Sequence, residues 1–378
     1  MIQRAIEIQI KKYLFDGRVI LIYGPRRVGK TTLVRHILEE YPDTGEYIQL
    51  DDPAIQSQFE HGTVDEIVAL LKPATRLIVL DEAQVINKIG QKLKLLVDKF
   101  PSLQIIATGS SSFELQNEVS SPLTGRKIEF NLYPFSVLEL KNYEGISALA
   151  GKLGHILKFG LYPSVYLSEE DKVARLAGEI TSSYLFKDIL AYQDIRNPRI
   201  LADLLKALAL QTGNEVSSNE LANLLSIDRA TVMRYIDLLE KIFVIKVLRA
   251  YSGNLRNELS RKFKVYFWDI GIRNALLNNF NDMSIRSDVG AIWENFCALE
   301  RIKIHSFADR QPSFYFWRNY QGQEVDLIEE IDGKLKAFKF KYTKSNAKLP
   351  PAFADNYRNT ELVVVHKENA FSRLTEQS

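Results

Sequence analysis

Short apolar runs alternate with longer stretches of helical spacing through the first third of the chain. Residues 18–23, 46–50, 76–80, 103–107 and 128–132 read as strands rich in Val, Ile and Leu. Between most of them the apolar positions repeat at helical intervals, as in Leu33, Ile37 and Leu38, then Leu93, Leu96, Val97 and Phe100. Strands alternating with helices predict an α/β fold with a parallel sheet covered on both faces. From about residue 133 to residue 203 the pattern turns helical, and residues 201–247 hold three helical stretches and then an apolar strand. Beyond Gly290 a helix at 291–304 precedes alternating strands at Ser313–Arg318, Glu324–Ile331 and 336–342. No repeat, low-complexity tract or long linker interrupts the chain, and the tail after about Ser372 reads as loose.

Composition limits the function classes. A length of 378 residues predicts two or three domains, and 46% hydrophobic with 25% charged residues excludes a mainly disordered or fibrous chain. Lys and Arg total 49 against 47 Asp and Glu, a formal charge of +2, which argues against a generally basic, nucleic-acid-coating protein. Any such contact has to come from a local patch. The single Cys297 excludes an intramolecular disulfide framework and a multi-cysteine zinc site, and suits a reducing cytosol. The longest apolar runs, such as 19–23 and 77–80, fall far below the ~18 residues of a membrane span. The start, Met1-Ile-Gln-Arg-Ala-Ile-Glu7, lacks the layout of a signal peptide. A cytoplasmic protein without membrane contact is expected.

The chemistry begins after the first predicted strand. Gly24-Pro25-Arg26-Arg27-Val28-Gly29-Lys30-Thr31-Thr32 matches G-x-x-x-x-G-K-[ST] without a departure, between an apolar strand and a helix starting near Lys30. The glycines let backbone N–H groups cradle phosphate oxygens, and the helix N-terminus adds positive potential. Lys30 is expected to reach the β- and γ-phosphates, and the Thr31 hydroxyl to ligate Mg²⁺.

In Leu77-Ile-Val-Leu-Asp81-Glu82, four apolar residues precede two carboxylates. Those carboxylates emerge at the C-terminal end of a central strand, where open α/β sheets bind ligands. Asp81 is expected to hold Mg²⁺, and Glu82 to orient and deprotonate the attacking water. Alone, such a pair also suits a helix N-terminus, favoured by the dipole; the phosphate loop upstream weighs against that reading, and two adjacent acids argue for hydrolysis over nucleotide binding alone. The next strand ends in Thr108-Gly-Ser110-Ser-Ser112. Thr108, with Ser110 behind it, is a candidate to bond the lytic water or the γ-phosphate, and the alternative is a Ser/Gly-rich turn capping a helix. Arg126, just before the fifth strand, reads either as a finger neutralising the departing γ-phosphate or as a surface residue.

Farther on, Ser217-Ser-Asn-Glu220 reads as a capping box. It opens a short helix with Leu221, Leu224 and Leu225 on one face. After a turn, Asp228 caps a second helix with Val232, Tyr235, Ile236 and Leu239, and an apolar strand at 243–248 follows. Together they read as a winged helix-turn-helix with Arg229, Thr231 and Arg234 on its exposed face. Residues 249–264 add Arg249, Arg256, Arg261, Lys262 and Lys264 against Glu258, a local charge of +4. Two readings stand: contact with duplex DNA, or a scaffold with a solvated loop.

Glu294 on a helix, Glu324-Val-Asp326 on a strand and Lys339-Phe-Lys341 on the next trace the outline of a restriction-endonuclease-like site. That chemistry wants an acid where Lys339 stands, so that two carboxylates can hold the metal. A cation there repels it, and an active nuclease is not expected.

The sequence resembles a prokaryotic family that pairs an AAA-type P-loop ATPase domain with a C-terminal DUF4143 domain. The likeness covers nearly the whole chain. It is carried by the phosphate loop and Leu80-Asp-Glu-Ala-Gln84, then by Thr108-Gly-Ser110, Gly125-Arg126, Leu132-Tyr-Pro-Phe-Ser136 and Phe159-Gly-Leu-Tyr-Pro163. Tyr266-Phe-Trp-Asp-Ile-Gly271, Trp293-Glu-Asn-Phe296 and Glu324-Val-Asp326 complete it. The resemblance implies a five-stranded AAA-like core over residues 1–137 and a helical lid or connector over 138–200. A winged helix over 201–272 and an inactive endonuclease-like domain over 273–378 follow. It also implies adenine as the base, and an arginine finger at Arg126 acting across the subunit interface of a homo-oligomer, a state the sequence leaves undetermined. The expected function is Mg²⁺-dependent ATP hydrolysis coupled to the C-terminal region, with a nucleotide-sensing DNA-binding module as the alternative.

Overall fold

The computed structural model describes residues 1–109, 122–190, 197–251, 262–308 and 312–376. Ser110, Arg256, Glu258 and Arg261 lie outside the described residues. After the first two residues the chain divides into two compact units, one of Gln3–Tyr133 with Lys241–Phe243, the other of Pro134–Glu240 with Val244–Ser378.

The first unit is a five-stranded sheet: β1 Val19–Tyr23, β2 Gly45–Gln49, β3 Leu77–Asp81, β4 Gln104–Gly109 and β5 Lys127–Asn131. Its spatial order is β2-β3-β4-β1-β5 and every pairing is parallel. The middle strands β1, β3 and β4 are buried at every residue, which is why they read as unbroken apolar runs. The edge strands β2 and β5 are half-buried and accommodate Glu46, Tyr47, Lys127 and Glu129. Helices Lys30–Leu38 and Ile89–Lys99 bury Leu33, Val34 and Ile37, and Leu93, Leu96 and Val97. Two helices that spacing did not reveal, Pro53–His61 and Val64–Ala69, are fixed by their ends. Asp52 accepts from the Ala54 amide ahead of Pro53, and Thr63 and Glu66 form a reciprocal capping box. Because all strands run the same way, their C-terminal ends share one edge. Gly24, Asp81 and Thr108 stand on it.

The second unit is built on a mixed seven-stranded sheet. Its strands are β6 Glu215–Ser217, β7 Ile245–Ala250, β8 Lys262–Phe267, β9 Ser313–Arg318, β10 Glu324–Ile331, β11 Lys334–Phe340 and β12 Glu361–Val365. The order is β12-β11-β10-β9-β7-β8-β6, with β7 joined to β9 in parallel through Arg249↔Tyr315 and Ala250↔Phe316. One sheet thus runs across residue 272, where the sequence suggested a boundary. Helices Pro198–Leu210, Ser218–Leu225 and Arg229–Lys241 precede β7. Ser217 Oγ accepts from the Glu220 amide at 3.5 Å, and Asp228 accepts from the Thr231 amide at 2.9 Å.

Helix Val289–Ser306 is buried along most of its length and carries Asn295, Glu300, Arg301, Lys303 and His305 inward. Each has a partner, as buried polar groups require. Asn295 bonds both backbone groups of Phe267. Arg301 forks onto Glu329 at 2.7 and 2.9 Å, with His305 Nε2 3.1 Å from the same carboxylate. Lys303 lies 2.8 Å from Glu300, whose other oxygen accepts from the Val137 amide.

Two of the motifs that carried the resemblance meet at one point. Asp269 accepts from the amides of Leu161, Gly271 and Ile272. A Cβ on Gly271 would lie 1.9 Å from the Phe159 carbonyl oxygen, and one on Gly160 2.0 Å from the Asp269 carboxylate. Gly271→Ala is therefore expected to destabilise the protein by about 1–3 kcal/mol. Gly178→Ala, with nothing within 4 Å of the added methyl in helix Glu170–Leu190, should be neutral or stabilising by up to about 1 kcal/mol. Urea unfolding of both variants checks the pair; equal stabilities would show that the Gly271 contact does not constrain the fold.

Candidate nucleotide site

The loop between β1 and helix Lys30–Leu38 owes its shape to two glycines. A Cβ on Gly24 would meet the Leu132 carbonyl oxygen at 2.2 Å. Gly29, at φ 95° and ψ 27°, sits in the left-handed region and starts the helix without a side-chain cap. The first amides of a helix have no partner within it, which makes this end a place for an anion. Lys30, 5% exposed, bends back so that Nζ donates to the carbonyls of Gly24 and Pro25 at 2.8 and 3.0 Å. Pro25 and Val28 are buried, whereas Arg26, Arg27 and Thr32 are exposed and Thr31 half-buried. Arg4, buried and not anticipated from the sequence, clamps the loop from below. Its guanidinium donates to the carbonyls of Val28 at 2.7 Å and Tyr133 at 2.6 Å.

Asp81 closes β3 and is 3% exposed. Its Oδ2 accepts from Thr31 Oγ1 at 2.7 Å and from the Tyr47 hydroxyl at 2.5 Å, and its Oδ1 accepts from Thr108 Oγ1. Thr108 Oγ1 in turn accepts from the Glu82 amide at 3.2 Å. The helix after the loop, β2, β3 and β4 thus converge on one carboxylate. Tyr47 is the member sequence reasoning missed; its only signal was a polar-tipped aromatic on a half-buried edge strand. Burial, and then the Asp81 carboxylate, push its phenol up to about 12, against the pull of Arg35, whose guanidinium lies 4.5 Å from the ring centre. At neutral pH it remains a donor.

Glu82 follows with φ 56° and ψ 42°, a backbone conformation rare for a residue with a side chain and concentrated at functional sites. Its half-buried carboxylate accepts from Gln84 Nε2. Thr31 and Asp81 supply two neighbouring oxygen donors. That set fits Mg²⁺, which keeps several waters and takes one or two protein oxygens beside substrate phosphates. Among the described residues no group of three or more His, Cys, Asp or Glu forms a metal cage.

Arg126 lies elsewhere. The register Val19↔Lys127 sets it before the first residue of β5, at the sheet edge opposite the loop, where it pairs with Asp98 at 2.6 Å. Of the residues proposed to face DNA, Arg229 and Arg234 are exposed. Arg229 donates to Ser218 Oγ at 2.9 Å, Arg234 lies 5.6 Å from the Tyr235 ring, and Thr231 Oγ1 is spent on Asp228 at 2.6 Å. The basic run at 249–264 also needs correction. Lys264 is fully buried against Glu294, so it adds nothing to a surface patch, and Lys262 lies 3.3 Å from Glu215.

Residues 16–141 match the family described as AAA domain, residues 151–283 a domain of unknown function, DUF8612, and residues 289–377 another, DUF4143. An uncharacterized protein of Mycobacterium tuberculosis is 30% identical over 351 residues, covering 91% of this chain and 74% of its own. The chain belongs to this AAA-domain family with a C-terminal DUF4143 domain. An uncharacterized protein of Methanocaldococcus jannaschii is 27% identical to this AAA/DUF4143 chain over 355 residues, 87% of the chain and 75% of the relative. Its fold is like that of a Walker-type ATPase of Pyrococcus abyssi, with a TM-score of 0.51 at 18% identity over 73% of this chain and 96% of that one. Among the described residues, no helix of the AAA/DUF4143 chain is long and apolar enough to cross a membrane.

Tyr47→Phe removes one of three hydroxyl donors from a buried carboxylate and is expected to destabilise the protein by about 1 kcal/mol. Thr108→Val removes a donor and also strands the Glu82 amide, with an expected loss of about 2–3 kcal/mol. Denaturant unfolding without nucleotide measures both. The reverse ranking would show that Asp81 does not depend on Thr108.

Proposed function

We propose that the first unit binds Mg²⁺-ATP and hydrolyses it to ADP and phosphate. The observation that carries this reading is the convergence of Lys30, Thr31, Asp81, Glu82 and Thr108 on the edge where the parallel strands end. The loop amides and Lys30, released from the Gly24 and Pro25 carbonyls, hold the charge of the β- and γ-phosphates. Thr31 and Asp81 hold Mg²⁺, which when bound neutralises charge shared between those phosphates. Glu82 orients a water in line with the γ-phosphate and takes its proton. Gln84, bonded to the Glu82 carboxylate, fixes its direction.

Thr108 was proposed to touch the lytic water or the γ-phosphate. Its hydroxyl is engaged on both sides, by Asp81 and by the Glu82 amide, and this supports a positioning role that locks metal ligand and base together. Arg126, on the opposite edge, cannot serve the loop of its own chain. As a finger it acts only on the site of a second copy in a homo-oligomer. Coupling of turnover to the second unit completes the proposal.

Phosphate release from ATP by the full chain tests the reading. Lys30→Ala and Glu82→Gln should each lower the rate by about 10²-fold or more. Glu82→Gln should still bind ATP, because it leaves the phosphate contacts intact. Equal rates in the wild type and both variants would sink the assignment.

A further inference from the structure

The acids that outline a nuclease-like site do come together in the second unit, but around a cation supplied by the chain. Lys264 on β8 is fully buried, and its Nζ lies 2.7 Å from Glu294 Oε1 and 3.9 Å from Glu324 Oε2. The Tyr266 hydroxyl donates to the same Glu294 oxygen at 2.7 Å. Asp326, 1% exposed, accepts from Lys339 Nζ and from the Phe340 amide, each at 2.7 Å. It sits where β10 shifts register against β9, between Val325 and Ile328. Arg318 reaches Glu324 at 3.8 Å from the rim. A pocket of about 250 Å³ lined by Gly213, Glu294, Arg318 and Glu324 opens beside the cluster.

Charge accounts for this arrangement. Burying several carboxylates together is prohibitive unless cations compensate them. Metal-dependent nuclease-like sites meet that demand with a divalent ion. Here Lys264 and Lys339 meet it from inside, with Arg318 at the mouth. Glu294 and Glu324, 2.7 and 3.9 Å from the Lys264 ammonium, supply its counter-charge.

We infer that Lys264 is a built-in replacement for a divalent metal ion, seated between Glu294 and Glu324 in a site that takes a hard cation once the ammonium is removed. The wild-type cluster takes no metal, since an incoming ion would have to expel an ammonium tethered through β8 and bonded to its own ligand. Lys339 on Asp326 is a second barrier of the same kind. The inference does not depend on ATP hydrolysis by the first unit.

The test uses the full chain without nucleotide, so that metal bound by the first unit is common to every variant. In EDTA, Lys264→Met should melt below the wild type, because Glu294 and Glu324 lose the ammonium that partners them. Mn²⁺ or Mg²⁺ at ~100-fold above its Kd should then raise the Tm of Lys264→Met by about 5 °C. The wild type should shift by less than about 1 °C, and NaCl at matched ionic strength should not reproduce the effect. Lys264→Met/Glu294→Gln removes one carboxylate with the ammonium. It should recover stability in EDTA and lose most of the metal response, whereas a purely structural lysine would give no metal-specific rescue. Should Lys264→Met fold only when metal is present, that also supports the inference. A Tm that ignores both metals, a chain that stays unfolded in their presence, or a wild type that responds as strongly as the variant would overturn it.

Discussion

A carboxylate taken out of water must be partnered, and the kind of partner decides what its site can do. Asp81 is partnered by hydroxyls, those of Thr31, Tyr47 and Thr108. Neutral donors relieve its desolvation without cancelling its charge, so the site keeps an appetite for a cation. Each hydroxyl comes from a different element, and the requirement to satisfy one carboxylate therefore fixes the phosphate-loop helix, β2 and β4 against the end of β3. The Glu82 amide hangs from the same Thr108 oxygen. The backbone turn that presents the proposed base is thereby tied to the proposed metal ligand.

The second unit solves the same problem with cations. Lys264 and Lys339 face Glu294, Glu324 and Asp326, Arg301 and His305 face Glu329, and Lys303 faces Glu300. Such pairs add little net stability over apolar residues of equal volume, but removing one member leaves a charge buried alone. They instead restrict which elements can pack together. Asp269 works the same way with backbone amides, for it accepts only if Gly160 and Gly271 leave room for the chain to close around it. Two motifs that look like family signatures are thus the halves of one contact.

How much was legible in the sequence follows from how local each cause is. The middle strands were legible because burial on both faces demands continuous apolar runs, and predicted ends fall within about two residues of β1, β3 and β4. The phosphate loop was legible because its glycines, lysine and threonine act within one turn. Tyr47 and Arg4 were not, since their partners lie at Asp81, Val28 and Tyr133, distant in sequence. Lys264 misled for the same reason. Counted with its neighbours it looks like a surface charge, and only the pairing of β8 between β6 and β7 carries it inside. The parallel join of β7 to β9, across some sixty residues of chain, left no local mark either.

These two ways of partnering acids bear on where chemistry can occur. In-line phosphoryl transfer needs a cation that sits between protein and substrate oxygens and adjusts as charge moves to the leaving group. Asp81 with its hydroxyls leaves that place available. Between Glu294 and Glu324 it is taken by an ammonium whose reach is set by β8. Lys339 alone would already weaken a nuclease site by repelling metal from Asp326; Lys264 goes further, because it satisfies the cluster's demand for charge. The acidic pocket of the second unit is held together by the same attraction that, in a metal enzyme, would recruit the ion.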